Sequence, residues 1–162
     1  MSVTAKEAAR IPVEETARLR RILNEGYGPG AWHGADLKAA VSDVSSSLAF
    51  WRPAPERHNV AEIALHHVYT TRNVRARLTG KPAPPFVLEG DDWFPLAGEA
   101  DLSWSQIQTL LVEEQQGLAA DLGDVSASGM AADERFNLVL GITCHAVYHA
   151  GQIQLLKRLR DG

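Results

Sequence analysis

A chain of 162 residues, 45% hydrophobic and 22% charged, has the composition of an ordinary globular protein, expected to fold as one domain over residues 1–162. Its net charge of −4, with the basic residues scattered, leaves no basic face for nucleic acid, and no apolar run approaches the roughly 20 residues that cross a bilayer. A single cysteine, Cys144, excludes an internal disulfide and any CxxC metal site.

The opening segment, MSVTAKEAAR, lacks the apolar core of a signal peptide, so a cytoplasmic location is expected. A first helix is predicted from Pro12 to about Glu25. Pro12 suits a first helical position, Glu14 and Glu15 complement the N-terminal dipole, and Leu19, Ile22 and Leu23 form an apolar stripe. GYGPG breaks it. Trp32 and His33 follow on a glycine-bracketed loop, which reads either as a surface loop with a tryptophan plugging the bundle end or as the rim of a site. Asp36 can cap a short helix from Leu37 to about Val41, and Ser45–Trp51 predicts another turn or two, ended by RPAPER.

Asn59 is the predicted N-cap of a long helix, NVAEIALHHVYTTRNVRARLTG, with Glu62 three residues on as in a capping box and Thr79-Gly80 as its stop. Val60, Ile63, Ala64, Val74 and Leu78 define its apolar stripe. His67 falls near the centre of that stripe and His66 about 80° off centre. Periodicity thus slightly favours His67 as the inward imidazole and leaves His66 open. Residues 81–102 form a long connection whose Asp91, Asp92, Trp93 and Phe94 either cover a site or pack across a bundle seam. Ser103 and Gln106 make a capping box for a third long helix, with Trp104, Ile107, Leu111, Leu118 and Leu122 inward and Gly123 at its end. Glu114, on the inward edge, is either a solvated carboxylate or a group supporting a site.

The last helix is predicted over Asp133–Arg160. At 100° per residue from Leu138, Ile142, His149, Ile153 and Leu156 fall within about 60° on one side, and His145 and Gln152 within about 40° on the other. Two imidazoles one turn apart therefore occupy positions where leucine would serve a core. A lone histidine there is ordinarily a hydrogen-bonded core residue. A pair suits a divalent cation, because an unpaired buried polar group costs about 1–3 kcal/mol. Ala146 stands where an HExxH protease would carry its glutamate, so that motif's general base is absent. Cys144 points about 100° from His145 and reads as a small packing residue. A third ligand is needed, and His66 and His67 are the candidates.

NVAEIALHHVYTTRNVRARLTG, the Asp91-Asp92-Trp93 loop and GITCHAVYHAGQIQLLKRL together resemble the DinB-like (damage-inducible, YfiT-related) superfamily, most specifically in the closing H-x-x-x-H-x-G-Q-I segment. The resemblance implies an all-α four-helix bundle with one or two short extra helices and a long loop between the second and third long helices. It also implies a mononuclear divalent metal held by His66, His145 and His149, with His67 as the apolar neighbour of the second-helix ligand. Characterised members include bacillithiol- or mycothiol-using S-transferases, a mycothiol-dependent maleylpyruvate isomerase and metal-dependent hydrolases. A low-molecular-weight thiol cofactor and a small-molecule substrate are therefore implied, as is a homodimer.

Three neutral imidazoles leave coordination positions open for water or sulfur, and such a site suits zinc or nickel ahead of iron or copper. Glu62 is expected to orient a ligand imidazole through its second nitrogen, and Gln152 to hydrogen-bond a bound water or substrate. The expected function is metal-activated S-transfer or hydrolysis. The alternatives are a non-catalytic metal-binding bundle and a metal-free interaction module.

Overall fold

The computed structural model describes residues 12–123 and 129–161. The opening segment read for a leader, and residues 124–128 of the last connection, lie outside the described residues. Among the described residues the regular structure is entirely helical: α1 (Val13–Tyr27), α2 (Leu37–Ser42), α3 (Ser46–Ala49), α4 (Val60–Thr79), α5 (Trp104–Asp121) and α6 (Ala132–Asp161). The four long helices pack into a bundle, with α6 against α1 and α4, and α4 against α5, while short α2 lies on α6. This is the expected fold class. No helix among the described residues is long and apolar enough to cross a membrane.

Local chemistry sets the helix starts. Asp36, Ser45, Asn59 and Ser103 each accept a backbone N–H three residues on, satisfying a donor that the first turn leaves orphaned. Ser103 and Gln106 complete the predicted reciprocal box. Two predicted starts differ. Pro12 is the N-cap of α1 and not its first helical residue, its ψ of 137° being extended. At α4 only half of the box forms: Asn59 accepts from Glu62 N, but the Glu62 carboxylate has stronger partners elsewhere. Residues 81–102 contain turns but no helix or strand.

The bundle interior divides into two apolar clusters. One draws Leu19 and Leu23 from α1, Val74 and Leu78 from α4, Leu118 and Leu122, and Val139 and Ile142 from α6. The other holds Val60–Val68 residues of α4, Ala146, Ala150, Ile153 and Leu156 of α6, and Phe94, Leu96 and Trp104. On α4 the apolar core stops at Val68 and resumes at Val74; on α6 it stops at Ile142 and resumes at Ala146. The histidines lie around that seam.

Candidate metal centre

His66 and His67 from α4 meet His145 and His149 from α6 at the seam. The Nε2 of His145 lies 3.0 Å from Nε2 of His66 and 3.1 Å from Nε2 of His149. One ligand atom from each of these three rings lies within 4.8 Å of the others. His66 and His149 are buried, and His145 half-buried.

The outer nitrogens fix the protons. His66 Nδ1 lies 3.0 Å from the backbone carbonyl of Asp92 and 3.0 Å from its carboxylate. Both only accept, so Nδ1 carries the hydrogen and Nε2 is a bare lone pair. His149 Nδ1 donates to Gln152 Oε1 at 2.6 Å, and the Gln152 amide nitrogen donates to the Tyr148 hydroxyl. His149 Nε2 is therefore bare as well. His145 Nδ1 stands 2.9 Å from His67 Nδ1, and His67 Nε2 lies 3.3 Å from the Thr71 hydroxyl. Even with a proton on His145 Nε2, one hydrogen bond cannot satisfy two facing lone pairs. A cation satisfies all three rings at once. Metal–nitrogen bonds of about 2.0–2.1 Å put adjacent imidazole nitrogens about 2.9–3.4 Å apart, and the two separations here fall within that range.

The charge state agrees. Burial, and then the neighbouring imidazoles, lowers His145 to about 3. Burial lowers His149 to about 4, against the opposing hydrogen bond to Gln152. Burial and the same neighbours hold His67 well below the usual imidazole range. His145, His149 and His67 are therefore neutral near pH 7, and the neutral ring is the form that ligates a metal.

The long connection covers this group. Trp93 is stacked between two imidazoles, with ring centroids 4.0 Å from His66 and 3.8 Å from His58. Asp92, at φ 64°, is the one non-glycine residue with positive φ among the described residues. That sparsely populated conformation turns its carbonyl and carboxylate onto His66. Asp91 accepts from the Tyr69 hydroxyl, and Phe94 enters the core. The segment thus both covers the group and packs into the bundle, uniting the two readings.

Several sequence expectations are corrected. The Glu62 carboxylate does not reach a ligand imidazole. It receives the two terminal guanidinium nitrogens of Arg52, Leu96 N–H and His58 Nδ1, which fill its acceptor sites. Burial pushes its pKa up, but Arg52, Leu96 and His58 outweigh that and hold it below the usual carboxylate range. The partner role expected of Glu62 falls to Asp92, Gln152 and His67. Gln152 thus holds His149. Glu114 pairs with Arg75 at 2.8 Å, away from the histidines. Cys144 is exposed rather than packed inward, because 100° from His145 lies beyond the inward arc. Trp32 is 89% exposed and neither plugs the bundle nor rims the group; His33 instead reaches the Glu25 carbonyl. His67 is no mere apolar neighbour, since its ring backs His145. His58 escaped sequence reasoning as a member of this group, whereas Trp93 was named as a residue that could cover it. The available signal for His58 was its place four residues before Glu62.

A family model described as the DinB superfamily matches residues 31–153. No curated protein and no solved structure matches the chain.

Proposed function

The chain belongs to the DinB superfamily, and on that premise we propose that it is a metal-dependent enzyme acting on a small molecule, by S-transfer or hydrolysis. The observation that carries this reading is the convergence of His66, His145 and His149, whose Nε2 atoms meet at His145 and whose ligand atoms all lie within 4.8 Å of one another. His66, His145 and His149 would hold a divalent cation, zinc or nickel first. Bound there, the ion lowers the pKa of a water or thiol toward neutrality and leaves a position open for it.

The chain's own residues supply the rest. Asp92, Gln152 and His67 hold the three rings in the ligating tautomer. Trp93 shields the His66 side from water. A cleft of about 480 Å³ lined by His58, Ile63, Gln152, Leu155 and Leu156 adjoins His149 through Gln152, giving a small substrate an apolar wall beside the group.

Elemental analysis of protein purified without an affinity tag is the first test. About one divalent ion per chain is expected, and His145→Ala and His149→Ala should abolish it. Turnover is then assayed on metal-loaded protein with low-molecular-weight thiols plus electrophiles, and with esters and amides. Stoichiometric metal with no turnover across both panels would favour the non-catalytic metal-binding bundle.

A further inference from the structure

We propose that the outward face of α6 is the seam of a homodimer, in which two copies of the helix lie antiparallel about a two-fold axis between Val147 and Tyr148. This seam needs no ion at the histidines and so goes beyond the metal-dependent reading.

A helix at the protein surface ordinarily carries charge on its outer arc, as α1 does with Glu14, Arg18, Arg20 and Arg21. The outer arc of α6 is different. From Phe136 to Leu156 the helix holds no Asp, Glu, Lys or Arg, although 22% of the chain is charged. Its inner side packs on α1, α2 and α4. On its outer side Phe136, Leu140, Tyr148, Leu155 and Leu159 are 41–64% exposed, and Cys144 is exposed among them. At 100° per residue these six positions share about 140° of arc. Large apolar side chains scattered singly need no explanation, but a continuous strip of them on one element marks an interaction surface.

Two features make the occupant a second copy. The first is the order of the side chains. With the axis between residues 147 and 148, Phe136 meets the partner's Leu159, Leu140 meets the partner's Leu155, and Val147 meets the partner's Tyr148. Every large exposed side chain of the strip thus faces an apolar one. Cys144 faces the partner's Gly151, where an added Cβ would have nothing within 4 Å in its own chain. A two-fold interface requires this self-complementarity, because each contact is made twice.

The second feature is charge. The first turn of α6 is acidic, with Asp133 and Glu134, and its last turn is basic, with Arg158 and Arg160. Both lie outside the uncharged span, and Asp133 and Arg158 fall on the outer arc itself. Antiparallel alignment brings each acidic end beside a basic one, and the opposed helix dipoles act in the same sense; a parallel pair would set like charges together. The seam also borders a cleft. Leu155 and Leu159 line the cleft beside Gln152, whose amide donates to Tyr148. The partner's Leu140 and Phe136 would therefore close its outer edge.

Sedimentation equilibrium of the full chain tests the assignment, with an expected mass of twice 17.6 kDa. Leu140→Lys and Leu155→Glu each bury a lone charge at both symmetry-related contacts and should weaken the dimer about 100-fold, with helicity unchanged. The double variant L140K/L155E sets opposite charges across the same contacts and should self-associate more tightly than either single variant. Oxidation reads the register. Facing residues 144 and 151 come within disulfide reach, whereas the two Cys144 residues stand about 10 Å apart along the axis, seven residues at 1.5 Å each. Oxidised Gly151→Cys should therefore run as a covalent dimer, and oxidised wild type as single chains. A monomeric wild type overturns the proposal. So does a dimer that survives both single substitutions, a double variant no tighter than the singles, or a Gly151→Cys protein that does not cross-link, since the copies then meet on another face or in another register.

Discussion

At His145 the supporting partner is another imidazole, where its two companions have a carbonyl and a side-chain amide. With metal on His145 Nε2, its proton must sit on Nδ1 and point at His67 Nδ1, which then accepts. His67 must carry its own hydrogen on Nε2, directed at Thr71. One tautomer thus propagates through three residues. His67→Phe removes the acceptor while filling the space, and metal affinity should fall about 10–100-fold. His67→Gln, which can still accept, should retain most of it; competition against a chromophoric chelator checks both. The same burial sets a pH dependence. His145 and His149 titrate near 3 and 4 in the folded chain but near 6.5 when unfolded. Between those values the unfolded chain binds more protons, so the metal-free protein loses stability as pH falls from about 6.5 to about 3. Urea midpoints across this range should show it, with a shallower slope in His149→Phe; identical slopes would exclude the buried imidazoles as the cause. The choice between His66 and His67 was not legible from periodicity for a physical reason. Residues 60–68 of α4 are buried all round, because the 45–58 segment and the 91–96 loop cover the faces a lone helix would expose, so no apolar arc singles out one ring. Register relative to the family motif made that distinction.

Element boundaries were the most legible feature, because Asp36, Ser45, Asn59 and Ser103 act through bonds spanning three residues. How the helices approach was less so, since a glycine in a helix carries no sign of what it faces. A Cβ at Gly26 of α1 would lie 2.7 Å from the Thr143 carbonyl and 2.9 Å from Ala146 Cβ. Here α1 is pressed against the turn of α6 that carries His145. Gly141 and Gly151 on α6 have nothing within 4 Å of such an atom. One substitution at three sites should therefore give opposite signs. Gly26→Ala should cost about 1–3 kcal/mol, because backbone must move. Gly141→Ala and Gly151→Ala should each gain about 0.5–1 kcal/mol through helix propensity alone. Denaturant midpoints at constant m-value check the contrast. The same α1–α6 contact bears on the site, so Gly26→Ala should also weaken metal binding, which the other two should leave unchanged. The loop that covers the histidines was legible as an unusually long connection whose Asp91–Phe94 stretch could cover a site or pack across a seam, but not in how it holds His66. Its hold on His66 runs through a backbone carbonyl and a left-handed Asp92, neither of which side-chain pattern encodes.

Across the whole molecule, the histidine layer sits where two apolar clusters meet. Without a cation its facing lone pairs repel at the point where α4 should bind α6 most tightly. With one, the layer becomes a cross-link between helices 79 residues apart in sequence at His66 and His145. Metal removal should therefore destabilise the bundle as a whole while loosening it unevenly. At a free metal concentration 100-fold above Kd, mass action contributes about 2.7 kcal/mol. For a chain of this length that corresponds to about 5–11 °C in Tm, measurable by scanning calorimetry before and after chelation. The uneven part follows from the clusters. Leu19, Leu23, Val74, Leu78, Leu118, Leu122, Val139 and Ile142 join all four long helices without touching the loop, so amides around them should keep their protection from hydrogen exchange. Amides of residues 66–71, 91–94 and 145–149 depend on rings that have lost their common partner, and should exchange faster in the metal-free protein. Uniform acceleration in both regions would mean that the metal stabilises only the global fold. Acceleration confined to the seam and the Trp93 loop would identify them as one cooperative unit, in which the cover and the ligands order together as the ion binds.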